Sequence, residues 1–285
     1  MLARAFERGG PPSRLSQPGV RSCYDRASGP QSGRNKEDGL VIALLADVHS
    51  NLEALSACLA HARSGGAERY AFLGDLVGYG ADPAAVIDTV ARYAAEGAIV
   101  VKGNHDAAVE KRAGYMNDAT SAAIEWTRKA LNEDRKAFLA GLPLCVRDAG
   151  MCFVHASAEA PERWDYVDGI TAALKSIDAA QLPYTFSGHV HEQMLYFQSS
   201  VGKVGAFQPL QSSPVSMPGN RRWLALVGSV GQPRDRNPAA AYALFDTASA
   251  QIIFHRVAYD HLAAARKIRE SGLPASIAYR VEMGI

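Results

Sequence analysis

The chain has 285 residues, of which 48% are hydrophobic and 21% charged, and a formal net charge of +1. This composition is ordinary for a globular protein, and the length suits one large domain or two small ones. A charge so near zero gives no strong overall attraction to long nucleic acids, and no apolar run approaches the roughly 20 residues of a membrane span. We therefore expect neither a nucleic acid nor a membrane as partner, while a homo-oligomer stays open.

Residues 1–39 differ from the rest of the chain. They are rich in Gly, Pro, Ser and Arg, show no lasting period and lack the apolar core of a signal peptide. We predict a disordered N-terminal tail over 1–39 and a single domain over 40–285. The four cysteines, at positions 23, 58, 145 and 152, have no CxxC spacing. This favours buried thiols in a cytoplasmic protein over a zinc ribbon or a disulfide framework.

Strands and helices alternate in the first half of the chain. The continuous apolar run "LVIALLA" is typical of a strand buried on both faces. The predicted elements that follow it are the helix "NLEALSACLAHARSGG", the strand "RYAFLG", the helix "DPAAVIDTVARYAAEG", the strand "AIVVKG", and one or two helices in "NDATSAAIEWTRKALNEDRKAFLAGL". Such strand–loop–helix units indicate parallel pairing.

Strands dominate after Gly150. The predicted strands are "MCFVHA", "YTFSGH", "MLYFQS", "KVGAF", "WLALVGS", "AYALFD" and "QIIFHRV", with a helix or two in "ITAALKSIDAAQL" between the first two and a late helix in "DHLAAARKIRESG". Strands without helices between them indicate antiparallel or mixed pairing. The expected fold is α/β, with two packed sheets and helices outside them.

Polar residues follow five of the predicted strands. They are Asp47 and His49 in "LLADVHSN", Asp75 in "FLGDLVGYG", Asn104 and His105 in "VKGNHDAA", His155 in "FVHAS", and His189 and His191 in "FSGHVHEQ". Each alone is typical of a turn or a helix cap. Together they predict a site, because ligands of open α/β sheets lie outside the carboxyl ends of strands. Mixed imidazole and carboxylate donors suit divalent metals, here Mn, Fe, Zn or Ni with Mn favoured, and their number indicates two ions.

The order D-x-H, GD, GNHD, H, GH-x-H, from Leu40 to about Asp246, resembles the calcineurin-like metallophosphoesterases. "GDLVGYG" and "GSVGQPRDRNPAAAYALFD" look like its compact bacterial and archaeal phosphodiesterase branch. The resemblance implies a four-layer α/β/β/α sandwich of two mixed sheets flanked by helices. By motif, one metal would be held by Asp47, His49, Asp75 and His191, and the other by Asp75, Asn104, His155 and His189. His105 would be the catalytic residue that stabilises or protonates the leaving oxygen.

One stretch departs from the protein-phosphatase relatives, which carry GD-x-x-DRG. Here Gly78 and Tyr79 stand in place of the Asp and the Arg. This argues against a protein phosphatase, and it leaves open whether Asp82 or a backbone carbonyl orients His105. Asp106 is expected to brace its own loop, since neighbouring side chains rarely face each other.

The predicted activity is hydrolysis of phosphodiesters or nucleotide-type phosphoesters by a two-metal mechanism with a metal-bridging hydroxide. The expected substrate is a small phosphoester or nucleotide. Arg234 is the first candidate for a phosphate contact, because a guanidinium grips phosphate in a fork, and Tyr79 is the second. The alternatives are a non-catalytic scaffold on the same fold, a phosphomonoesterase, and a nuclease, which the near-neutral charge disfavours.

Overall fold

The computed structural model describes residues 24–25, 39–110 and 117–285. The strands are β1 (Tyr24–Asp25), β2 (Val41–Leu45), β3 (Arg69–Phe72), β4 (Ile99–Val100), β5 (Cys145–Asp148), β6 (Met151–Val154), β7 (Tyr184–Ser187), β8 (Gln193–Ser199), β9 (Val204–Phe207), β10 (Pro214–Ser216), β11 (Arg221–Val227), β12 (Ala240–Asp246) and β13 (Gln251–Val257). The helices are α1 (Leu52–Ser64), α2 (Pro83–Ala95), α3 (Asn104–Glu110), α4 (Asp118–Ala130), α5 (Glu133–Gly141), α6 (Ile170–Ala180), α7 (His261–Glu270) and α8 (Ala275–Met283), with a 3₁₀ turn at Pro161–Arg163. The sequence did not predict β1, β5, β10, α3 or α8.

The strands form two mixed sheets. The six-stranded sheet has the order β10-β13-β12-β2-β3-β4, in which β2, β3 and β4 are parallel and β12 is antiparallel to β2. The seven-stranded sheet has the order β1-β5-β6-β7-β11-β8-β9, in which β6, β7 and β11 are parallel. Parallel pairing in the first half and mixed pairing in the second were both expected.

The sheets pack face to face, and helices cover their outer faces. Strand β2 is apolar throughout because both of its faces are buried. Ile42 and Leu44 lie in the core between the sheets, while Ala43 and Leu45 face the helix layer of α1, α2 and α5. Helix α6 covers the outer face of the other sheet through Ile177. This is the predicted four-layer α/β/β/α sandwich.

The N-terminal segment contributes one short strand to the described structure. Tyr24 and Asp25 pair in parallel with Val146 and Arg147 at the edge of the seven-stranded sheet. Residues 1–23 and 26–38 lie outside the described residues, so the disordered tail stays a prediction. No helix within 39–110 or 117–285 is both long enough and apolar enough to cross a membrane.

Candidate metal centre

Strand ends of both sheets meet at one edge of the sandwich. The predicted ligands follow β2 (Asp47, His49), β3 (Asp75), β4 (Asn104), β6 (His155) and β7 (His189, His191). All of them are buried except Asn104, which is half-buried. Because parallel strands bring their carboxyl ends to the same edge, segments far apart in the chain place their side chains together.

Four of these residues form a first cluster: Asp47, His49, His191 and Asp75. The Nε2 atoms of His49 and His191 are 3.1 Å apart. Asp47 Oδ1 lies 3.4 Å from His191 Nε2, and Asp75 Oδ2 lies 3.8 Å from His49 Nε2. The donor atoms of this cluster therefore converge on one small volume.

The second cluster consists of Asn104, His155, His189 and again Asp75. His155 Nε2 lies 3.1 Å from Asn104 Oδ1 and 3.1 Å from His189 Nδ1. Asp75 Oδ2 is 3.5 Å from the same nitrogen. A single carboxylate oxygen thus faces both clusters.

The donor chemistry of the first cluster fits a divalent metal. His49 Nδ1 lies 3.2 Å from the Val77 carbonyl, and His191 Nδ1 lies 2.6 Å from the Gln232 carbonyl. A carbonyl only accepts, so each Nδ1 carries the proton and each Nε2 presents a lone pair. Burial lowers the pKa of both histidines well below its usual value and keeps them neutral. Two lone pairs facing each other repel unless a cation lies between them, and this is how metal-binding histidines are held.

Two further groups of the centre, His155 and Asp47, have strongly shifted pKa values. Burial disfavours a charged His155, but the Asp75 carboxylate outweighs it and raises the pKa of His155 to about 9. Burial raises the pKa of Asp47 to about 7, and its Oδ1 has no hydrogen-bond partner. Since His155 Nδ1 donates to the Leu73 carbonyl at 2.8 Å, a second proton would sit on Nε2, among the donors of the second cluster. A bound cation would take the place of that proton.

Several ligand residues have left-handed backbone conformations. They are Asp47 (φ 52°), His49 (φ 49°), Asp75 (φ 50°), His189 (φ 69°) and His191 (φ 66°). Such conformations are uncommon outside glycine and concentrate at functional sites. They aim each side chain into the centre directly after its strand ends.

The ligand loops are hydrogen-bonded to one another through the carboxylate oxygens that do not face the clusters. Asp47 Oδ2 accepts a hydrogen bond of 2.9 Å from the His189 N–H, and so joins the two sheets. Asp75 Oδ1 accepts one of 2.8 Å from the His105 N–H. Asp106 accepts from the Gly103 N–H at 2.9 Å and so braces its own loop as expected, and it also accepts from the Leu76 N–H at 3.0 Å in the loop after β3.

Residues 40–250 match the family model of the calcineurin-like phosphoesterase superfamily domain. The chain belongs to this family. It is 32% identical over 252 residues to an uncharacterised protein of Methanocaldococcus jannaschii, across 86% of this chain and 98% of that one. Membership implies hydrolysis of phosphoester bonds with divalent metals.

Two solved structures support the fold of this phosphoesterase. A metallophosphoesterase from Sphaerobacter thermophilus superposes with a TM-score of 0.77 at 32% identity, covering 87% of this chain and 100% of that one. A hypothetical protein from Pyrococcus horikoshii superposes with a TM-score of 0.70 at 20% identity, covering 86% of this chain and 99% of that one. At this identity it supports the fold alone. The predictions of family and fold are confirmed.

His105 of the phosphoesterase is positioned by packing. Its Nε2 lies 3.9 Å from Asp75 Oδ2, and its buried Nδ1 has no hydrogen-bond partner. Asp82 is not the orienting group, because it pairs with Lys267 at 2.7 Å, and no backbone carbonyl accepts from Nδ1 either. A Cβ on Gly78 would lie 2.3 Å from Nδ1, so the space that a carboxylate would need is taken up by the imidazole itself.

The two predicted substrate contacts differ in their placement. The Tyr79 ring lies 4.6 Å from the rings of both His49 and His105, and its hydroxyl is 3.3 Å from Thr120 Oγ1. Tyr79 is buried and packs behind the two imidazoles. Arg234 is half-buried beside the first cluster: burial lowers the pKa of His49, His105 and His191, and the Arg234 charge lowers each further.

The sequence offered no sign of two aromatic residues at the phosphoesterase site. The Tyr166 ring stacks on His189 with centroids 4.1 Å apart, and the Trp164 ring meets His155 edge-on at 6.0 Å. Both belong to an irregular loop between β6 and α6. Since no strand or motif precedes them, only the folded chain brings them to the metal ligands.

Proposed function

We propose that this chain is a two-metal hydrolase of phosphodiesters or nucleotide-type phosphoesters. The observation that carries the proposal is the shared oxygen, Asp75 Oδ2, which lies 3.8 Å from His49 Nε2 and 3.5 Å from His155 Nε2. Two divalent cations held there would polarise the phosphoryl group and supply an activated water as nucleophile. Among Mn, Fe, Zn and Ni we favour Mn, because the donors combine imidazole with carboxylate and amide oxygens.

The remaining roles follow from what the side chains face. Burial lowers the pKa of His105, so the ring is neutral, and its Nε2 lies 3.9 Å from the shared carboxylate. The neutral ring would stabilise the leaving oxygen by a hydrogen bond, and it would protonate that oxygen only if the bound phosphoester raises the pKa enough for the ring to take up a second proton. Arg234 would bind a non-bridging phosphate oxygen from the side of the first cluster.

The charge beside the second cluster supports a small substrate. The loop that carries Trp164 and Tyr166 also exposes four acidic residues, which are Glu159, Glu162, Asp165 and Asp168. Arg163 is the one basic side chain among them, and it pairs with Asp165 at 2.7 Å. These acidic side chains would repel a long polyanion such as a nucleic acid, whereas a small substrate with a single phosphoester group need not contact them.

We further propose a cytoplasmic location. The four cysteines show neither the CxxC spacing of a zinc ribbon nor the pattern of a disulfide framework, which supports a reducing compartment.

The test compares bis-p-nitrophenyl phosphate with p-nitrophenyl phosphate, using metal-stripped protein with and without added Mn²⁺. We expect diester turnover that requires metal and falls at least about 100-fold in Asp75→Asn and His105→Ala. His61→Ala is the matched control, because this histidine lies on α1 and contacts Tyr242 and His255 instead of the centre.

Each other outcome selects an alternative. Turnover of the monoester alone would make the chain a phosphomonoesterase. Metal binding, measured by calorimetry, without hydrolysis of either ester would favour the non-catalytic scaffold. Loss of turnover in His61→Ala as well would show that the substitutions act through folding.

A further inference from the structure

Tyr166 presents an open aromatic face beside the second cluster. One face of its ring lies on the His189 imidazole, with centroids 4.1 Å apart and an angle of 28° between the planes. The side chain is nevertheless 52% exposed. A flat ring that is covered on one side by a metal-ligand histidine and exposed to solvent on the other can receive a second planar group.

Trp164 extends this aromatic surface at a cost in backbone strain. Its φ of 58° is left-handed, which is a rare conformation for a bulky residue. The indole meets the His155 imidazole edge-on at 6.0 Å and is itself half-buried. Such conformations are concentrated at functional sites, and here the left-handed residue directly follows the 3₁₀ turn Pro161–Arg163. Tyr166 and Trp164 thus each lie against a different histidine of the second cluster, and together we call them the aromatic platform.

Arg234 and the aromatic platform lie next to different clusters. Arg234 Nη2 lies 3.4 Å from Oε1 of Gln232, and the backbone carbonyl of Gln232 accepts a hydrogen bond from His191 of the first cluster. The aromatic platform lies on the second cluster, within the acidic loop. A ligand spanning the centre would therefore meet a cation at one end and aromatic rings at the other.

We propose that the aromatic platform stacks the nucleobase of the substrate, so that the natural substrate is a nucleotide ester. This inference rests on the proposed phosphoesterase function and narrows its substrate class. Every base has a planar π face, so stacking gives affinity for nucleotides without selecting one base. An aliphatic phosphoester would leave the platform empty.

The test measures binding by calorimetry, on the full chain loaded with Mn²⁺, with adenosine 5′-monophosphate and ribose 5-phosphate as probes. The two differ only in the base. We expect tighter binding of the nucleotide, and a loss of roughly 5- to 150-fold in that preference in Tyr166→Ala, as found for base–aromatic stacking elsewhere. Tyr166→Phe keeps the ring and should keep the preference.

The matched control is Tyr279→Ala, which removes a tyrosine of similar exposure, 51%, on helix α8. It should leave both affinities unchanged. Equal weakening of both probes in Tyr166→Ala would show that this residue only supports His189, and would overturn the inference. So would a wild-type protein that binds the nucleotide no better than ribose 5-phosphate.

The two proposals fail separately. If neither nitrophenyl ester is hydrolysed but the base preference is present and depends on Tyr166, then hydrolysis is wrong and nucleotide binding stands. If the esters are hydrolysed but there is no base preference, then the phosphoesterase stands and the aromatic platform is wrong.

Discussion

Individual residues of the metal centre hold backbone conformations that cost of order 1–3 kcal/mol each. They persist because backbone hydrogen bonds tie each loop to the next. The Asp47 N–H donates to the Gly74 carbonyl at 3.1 Å, and the His49 N–H donates to the Asp75 carbonyl at 2.9 Å. The loop that contains Gly103 can approach Asp75 closely because glycine has no side chain: a Cβ on Gly103 would lie 2.1 Å from Asp75 Oδ1. The ligand geometry therefore depends on residues that carry no functional group.

Gly103→Ala tests this dependence. The added methyl group cannot fit beside the Asp75 carboxylate, so that carboxylate or its loop must shift. We expect a loss of about 1–3 kcal/mol in the free energy of unfolding, measured with urea, and weaker Mn²⁺ binding by calorimetry.

Gly141→Ala is the control, since a Cβ at the end of α5 meets no atom within 4 Å. It should leave the affinity for Mn²⁺ unchanged and should raise the free energy of unfolding slightly, by about 0.4–1 kcal/mol, because alanine favours the helix. Full Mn²⁺ affinity in Gly103→Ala would show that the loop adapts and that the close contact is dispensable.

Whole elements meet at the strand-to-helix turns, where one residue often serves two neighbours. Asn51 follows the first ligand motif and caps helix α1, with its Oδ1 3.1 Å from the Ala54 N–H. Its Nδ2 donates to the Gly231 carbonyl at 2.9 Å and to the Tyr259 hydroxyl at 3.0 Å. The helix start is thereby joined to the loop whose next residue, Gln232, holds His191. One side chain therefore caps a helix and also ties it to the neighbouring loop.

Asn51→Ala should therefore cost more than the loss of a simple cap. We expect about 2–3 kcal/mol in the free energy of unfolding, because a cap is lost and a buried carbonyl loses its donor. Asn132→Ala is the matched comparison. Asn132 is exposed and caps α5 through the Arg135 N–H at 3.1 Å, so we expect a loss of about 1 kcal/mol in the free energy of unfolding. Equal losses in urea unfolding would mean that the bonds to Gly231 and Tyr259 contribute nothing.

The molecule as a whole is two sheets joined at one edge by the metal centre. Asp47, His49 and Asp75 come from the six-stranded sheet, while His155 and His191 follow strands of the other. Both sheets also share the apolar core, in which Phe186 packs on Phe245 at 5.1 Å between ring centroids. A bound ion would add a polar connection at the edge that this core does not reach.

Mn²⁺ should consequently raise the melting temperature. At a free concentration about 100 times Kd the gain is roughly 2.7 kcal/mol, or about 5–10 °C for a chain of this size. Calorimetric scans of metal-stripped protein with and without Mn²⁺ measure it. Asp75→Asn should lose most of the shift because both clusters share that carboxylate, and His61→Ala should keep it. An unchanged shift in Asp75→Asn would place the bound ion elsewhere.

Local patterns in the sequence were sufficient to predict the secondary structure of most of the chain and to single out the candidate metal ligands. Both are local properties: apolar runs and helical periods specify strands and helices, and the ligands Asp47, Asp75 and His155 directly follow such runs. Segments without a clear period were not predicted. Strand β10 has three residues that pair with β13, and α8 follows a turn at the end of the chain.

The surroundings of the candidate ligands could be seen only in the folded chain. Three features depend on contacts between distant segments. The His105 imidazole fills the space beside Gly78, Tyr79 packs behind two imidazoles, and Tyr166 stacks on His189. No period or spacing in a sequence encodes such contacts, because they arise when separate strands bring their ends to one edge. Local sequence thus indicates the candidate metal ligands, while the orientation of His105 and the placement of the aromatic platform arise from packing.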